Sequence, residues 1–180
     1  ILKESYAPTE PVLLYLFYLR SLMLKSVARA GGIMVTVVEE FWWPLRFEAT
    51  KELILKILKT DRKLGGWIIL TSQSPEDAIA SDIFPAIVQQ TPTKIFLPSP
   101  DAKYEGGYQL CGLTNKEYEE LVKLSLDSRQ FLIKQSRQSA FAKLHLHGFA
   151  EEMAVLSGDS SNIAILDELL TRMPAATPNE

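Results

Sequence analysis

Cysteine is nearly absent from this chain of 180 residues, where Cys111 stands alone. No disulfide can form within the chain, and a reducing compartment is the expectation. With no base beside it, Cys111 reads as a small buried residue rather than a nucleophile. Histidine is scarce too: His145 and His147 alternate along an expected strand with no third ligand in view, a poor metal site. Positive charge is not in excess, since 19 Lys and Arg against 22 Asp and Glu leave a formal net charge of -3. That balance gives no overall electrostatic grip on nucleic acid. The longest apolar run, Val12 to Leu24, is broken by Arg20 and falls short of a bilayer span. The acidic, proline-bearing segment before it excludes a signal peptide. A phosphate loop of the form G-x-x-x-x-G-K-[ST] is also missing. Gly107 to Thr114 comes nearest, but Leu113 stands where lysine is required and no buried strand leads into it. Low-complexity segments and linkers are lacking, so residues 1–180 read as a single domain. The chain starts on Ile1 rather than Met, and reads as part of something longer.

What is present centres on Gly31 to Leu45, G-G-I-M-V-T-V-V-E-E-F-W-W-P-L. Ile33 to Val38 leaves a glycine pair and stops at Glu39 and Glu40, which predicts a strand buried on both faces, as in a parallel sheet. Ligands of open α/β sheets sit beyond the carboxyl ends of the strands, where these two acids stand. An apolar strand followed by adjacent acids has the pattern of a Walker B segment: one acid holds magnesium and the next orients the attacking water. On an extended chain the two side chains point to opposite faces, which argues against a glycosidase-type pair. The plainer alternative is that both are solvated strand-end acids.

The flanking sequence alternates helices and strands. A helix is predicted from about Pro11 to Ala30, packed on two sides, with Gly31 and Gly32 ending it. Another runs from Phe47 to Thr60, with Leu53, Ile54, Ile57 and Leu58 inward. Gly65-Gly66 then leads into a second buried strand, Trp67 to Leu70, ending in Thr71-Ser72-Gln73-Ser74. Gln73 stands beside the acids if the two strands are neighbours; otherwise it is an ordinary strand-end glutamine. Pro75 opens a helix through Val88, Thr93 to Leu97 is a third strand, and Ser99 to Cys111 reads as an exposed loop. Thr114-Asn115-Lys116-Glu117 is a capping box starting a helix to Leu124. Gln130 to Lys134 and Ala140 to Leu146 predict a hairpin about a turn at Gln135 to Ser139. Met153 to Leu156 is a further strand candidate, and Asn162 to Met173 an amphipathic helix. Trp42 and Trp43 pack helix against sheet or, less simply, stack on a nucleotide. Arg62 and Arg129 are the arginines to test as phosphate contacts.

Six stretches in register resemble one family. V-V-E-E-F-W-W-P-L (Val37 to Leu45) resembles the Walker B segment, usually D-E-x-W, of the type IV secretion and conjugation ATPases of the TrbE/CagE kind. T-S-Q-S-P-E-D-A (Thr71 to Ala78) resembles their next motif, a strand-end glutamine followed by S-P-x-D. T-K-I-F-L-P-S-P (Thr93 to Pro100), G-L-T-N-K-E-Y (Gly112 to Tyr118), R-Q-F-L-I-K-Q (Arg129 to Gln135) and V-L-S-G (Val155 to Gly158) fit in order. The resemblance implies the C-terminal portion of a RecA-like α/β motor domain: a largely parallel sheet flanked by helices, an antiparallel annex near the C-terminus, and no phosphate-loop part. It implies ATP and magnesium as ligands of the full-length protein, with Glu39 at the metal, Glu40 activating water and Gln73 sensing the γ-phosphate. Glu39 departs from the usual aspartate, so metal contact through water is the expectation. The 180 residues alone are expected to bind ATP poorly. The same resemblance implies homo-oligomers, often hexamers, working with other secretion components at the cytoplasmic face of the bacterial inner membrane in pilus assembly and substrate export. A non-catalytic assembly module and a DNA-pumping relative are the alternatives, nucleic acid being the less expected partner.

Overall fold

The structure, a computed structural model, describes residues 8–101, 103–149, 152, 153 and 168. The chain divides into two units, Ile1–Ala142 and Lys143–Glu180. In the first, helix α1 (Thr9–Arg29) ends where Gly31 takes a left-handed φ of 72°, the conformation glycine adopts without a Cβ penalty. Strand β1 (Met34–Val38) follows, then a 3-10 turn at Pro44–Arg46, helix α2 (Glu48–Thr60), a second 3-10 turn at Asp61–Leu64 and strand β2 (Gly66–Leu70). The two strands pair in parallel, Met34 opposite Gly66 through Val38 opposite Leu70. The first core gathers Phe41, Leu45, Ile54, Leu58, Ala78, Phe84 and Ile87, so α2 is buried along the stripe its sequence sets out.

Burial of β1 and β2 differs from the sequence reading. Met34, Thr36 and Val38 are partly covered, but Val35, Val37, Trp67 and Ile69 are exposed on the other face, with Ile33 beside them. The strands carry apolar side chains on both sides, and the described residues supply a cover for one. Helix α1 likewise buries only Thr9 and Leu24 and is not packed on two sides. At 21 residues it exceeds the run read from the sequence and is, by length and composition alone, able to cross a membrane. Here its Arg20 is instead ion-paired with Asp61 and donates from Nε to Thr36 Oγ1 at 2.8 Å, fastening the helix to β1.

The helix expected over Pro75 to Val88 is two: α3 (Pro75–Ile79) and α4 (Phe84–Gln90). Pro85 explains the break, because its ring cannot follow a helical turn and is accommodated in the first turn of a new helix. Strand β3 (Thr93–Phe96) does not extend the parallel pair. It runs antiparallel to β4 (Gln130–Gln135), which neighbours β5 (Gln138–Lys143) in a three-stranded sheet. The hairpin lies where the sequence set it, tightened to a turn at Ser136 and Arg137, but the sheet as a whole is not largely parallel. Lys94 and Lys134 sit opposite each other in this ladder, a repulsive pairing unless each ammonium is satisfied separately. Lys94 Nζ donates to the carbonyls of Val88 and Thr91, and Lys134 Nζ donates to Glu117 Oε2 at 2.6 Å.

Ser99 to Cys111 is not an exposed loop throughout. Tyr108 is buried against Phe96, ring centroids 5.7 Å apart, in a second core with Leu113, Leu121 and Leu132. Helix α5 (Asn115–Val122) starts with the capping box intact, Thr114 and Glu117 exchanging both bonds. Burial pushes the Glu117 carboxyl up, but hydrogen bonds from Lys134, Ser139 and Thr114 outweigh it and bring it down to about 2. A carboxylate lowered on folding contributes stability that is present above its unfolded value and lost as pH falls through its folded one. Urea midpoints measured between about pH 4.5 and pH 2 are therefore expected to fall steeply in the native chain and less steeply in Glu117→Gln; parallel slopes would show that Glu117 does not carry this dependence. Of the second unit, residues 143–149, 152, 153 and 168 are described. His145 and His147 lie beyond the end of β5, both exposed, with rings 6.0 Å apart. Apart from Met153, which is helical, the expected strand over 153–156 lies outside the described residues. Val155 to Gly158 and, Glu168 aside, the expected helix over 162–173 do so too.

Candidate functional site

Beyond the parallel ladder the two strand ends stay joined. Thr71 N–H donates to the Val38 carbonyl and Phe41 N–H to the Thr71 carbonyl, both at 3.0 Å. This brings the segment after β1 against the segment after β2. Glu39 and Glu40 lie in a turn rather than on extended chain, closed by Trp43 N–H donating to the Glu40 carbonyl at 2.9 Å. Glu40 has φ 47°, a left-handed conformation uncommon outside glycine. The alternation that would send the two side chains to opposite faces therefore does not apply. The Glu40 carboxylate accepts from Gln73 Nε2 on one oxygen and from Trp42 Nε1 on the other, each at 2.6 Å. Each carboxylate oxygen has about two acceptor directions, so one on each remains open. Such a group can take a proton from, or align, a water molecule presented to it.

The structure thus brings Glu40 and Gln73 together, across 33 residues of sequence. Glu39 is exposed beside them and has no side-chain partner among the described residues. Arg62 is not part of this cluster. It precedes β2, at the end of that strand opposite from Gln73. Arg129, with φ 55°, is exposed where β4 begins, beside the C-terminal end of β3, and has no contact with Glu39, Glu40 or Gln73. Trp42 is partly buried against the first core, as its packing role required, while Trp43 meets Phe47 edge-on at 5.9 Å. The bond from Trp42 to Glu40 escaped the sequence reading, although the indole lies only two residues from the carboxylate.

Next to Gln73 an open depression of about 520 Å³ is lined by Ser74, Glu76, Pro100, Asp101 and Lys103. Ser74 caps α3, accepting from Glu76 N–H at 3.2 Å, and its hydroxyl donates to the Glu76 carboxylate. Burial pushes the Cys111 thiol up to about 11, which keeps it protonated and unreactive near neutral pH. No group of three or more His, Cys, Asp or Glu suited to a metal occurs among the described residues.

No family model matches the chain. It is 38% identical over 166 residues to the type IV secretion system protein virB4 of Bartonella henselae, covering 92% of this chain and 20% of that one. The virB4 protein of Brucella abortus is 32% identical over 91% of the chain. The type IV secretion system protein PtlC of Bordetella pertussis is 30% identical over 94% of it. The chain spans about one fifth of the length of these relatives. Among solved structures, VirB4 of Thermoanaerobacter pseudethanolicus superposes with a TM-score of 0.57 over 74% of this chain and 37% of that one, at 21% identity, which is a likeness of fold.

Proposed function

Because the chain belongs to the VirB4 family of type IV secretion proteins, we propose that the β1–β2 rim is part of an ATP-hydrolysing site in a RecA-like motor that drives pilus assembly and substrate export. The observation that carries this reading is the 2.6 Å bond between Gln73 and Glu40 at the carboxyl ends of two parallel strands. In open α/β sheets that rim is where ligands sit. Glu40 would align the attacking water and accept its proton. Gln73, exposed on the loop after β2, would present its amide N–H to a γ-phosphate oxygen.

Glu39 suits magnesium, which keeps most of its water and is held by one or two carboxylates together with substrate phosphates. An exposed carboxylate without a protein partner meets that requirement, and a cage of several ligands is not needed. Bound there, the ion would neutralise charge on the phosphate oxygens. Of the two arginines, Arg129, exposed where β4 begins, is kept as the candidate phosphate contact to test, and Arg62 precedes β2, at the end of that strand away from Gln73. In the full-length protein this site would work within a homo-oligomer at the cytoplasmic face of the inner membrane, alongside other secretion components.

A second reading, a docking module without chemistry of its own, is favoured by the apolar side chains left uncovered on α1 and on one face of β1–β2. Steady-state phosphate release by the protein extended to the length of its relatives separates the two. Magnesium-dependent turnover that chelation abolishes is the expected result. A purified, folded full-length protein with no turnover above background would remove the motor reading and leave the docking one.

A further inference from the structure

We propose that Trp42 is a positioning residue for the reaction, acting through its indole N–H on the carboxylate of Glu40. This rests on Glu40 being the water-activating group. Glu40 is held in a left-handed backbone conformation, which non-glycine residues keep only when their surroundings impose it. Its side chain leaves that turn with two donors on it, and the two are unequal. The ring of Trp42 is packed against the first core, so its single polar hydrogen is aimed by the fold. Gln73 is exposed on a loop and has nothing comparable to fix its amide. The indole therefore sets the direction of the carboxylate, while Gln73 is free to exchange Glu40 for a phosphate oxygen without Glu40 turning away.

Trp42→Phe keeps the ring and removes the donor. A hydrogen bond to a charged group is strong enough that its loss from the working geometry is expected to lower kcat about 10- to 100-fold, with KM for ATP unchanged within about twofold. Trp42→Ala should lose little more, whereas a purely structural ring would tolerate Phe. In a Glu40→Gln background, Trp42→Phe should add almost nothing, because both changes disable one unit.

If Glu40→Gln is inactive and Trp42→Phe turns over like the native protein, the positioning role is overturned and the motor reading survives. If Glu40→Gln keeps native turnover, Glu40 is not the water-activating group and the positioning role falls with it, while the turnover itself leaves the motor reading standing. Where Trp42→Phe fails to fold, the indole N–H resonance decides. In Glu40→Ala the Trp42 signal should move while that of Trp67, on the other face, stays; an unmoved Trp42 signal overturns the proposal.

Discussion

Replacing Glu40 by glutamine in the full-length protein is expected to lower ATP turnover by about 10²- to 10⁴-fold, the range a positioned general base contributes. ATP binding should change little, since Gln73 and Glu39, the residues proposed to meet the γ-phosphate and the metal, are left in place. Glutamine has the same length as glutamate and retains one oxygen able to accept from Trp42 Nε1. Its amide nitrogen cannot accept from Gln73 Nε2, so one of the two 2.6 Å bonds is lost along with the base. A hundredfold loss corresponds to about 2.7 kcal/mol of transition-state stabilisation, near the top of the about 1.5–3 kcal/mol that a hydrogen bond to a charged group such as the Glu40 carboxylate supplies. A loss well beyond a hundredfold therefore marks lost chemistry rather than the lost Gln73 bond alone. Phosphate release and binding of a fluorescent ATP analogue measure the two sides. Turnover within about threefold of native would remove Glu40 from the mechanism.

The strands that carry this cluster were legible because their signals are local. Ile33 to Val38 and Trp67 to Leu70 are apolar runs with glycines before them and polar residues after, and the structure pairs them in parallel. The Thr114 capping box and the α2 stripe are local in the same sense. The turn conformation of Glu40 was not legible, because no glycine or asparagine marks the position; tertiary contacts, including Phe41 N–H to the Thr71 carbonyl, impose it. Tyr108 escaped for a related reason. Glycines at 106 and 107 look like loop punctuation, yet they bend the chain so that the following tyrosine enters the second core. The partner of β3 depended on long-range pairing with β4, and nothing in Thr93 to Leu97 distinguishes a parallel neighbour from an antiparallel one. The expectation of burial on both faces of these strands rests on continuous apolar runs bounded by turn signals. Such a run states what a strand can bury, and burial also needs a surface to pack against it.

Arg20 gives the second large effect. In the sequence it only interrupts an apolar run, and its partner lies 41 residues away. Its side chain is 11% exposed and that of Asp61 12%, so the pair is largely out of water. Arg20 also donates to Thr36, Asp61 accepts from Thr60 Oγ1 at 3.1 Å, and Arg20 Nη2 has no partner among the described residues. Asp61→Ala strands a guanidinium that already has one unsatisfied nitrogen. Removing one partner of a buried ion pair typically costs 3–5 kcal/mol, and the residual exposure of this pair sets the expectation at about 3 kcal/mol. Against a typical domain stability of about 5–15 kcal/mol, that is a large share, and α1 should detach from β1 first. The double variant Arg20→Met, Asp61→Leu removes both charges and fills their volume, so it should recover most of the loss. Urea unfolding of the three proteins measures the loss and its recovery. If Asp61→Ala lies within about 0.5 kcal/mol of native, the pair does not hold the helix, and the packing of Leu24 and Phe17 must do so unaided.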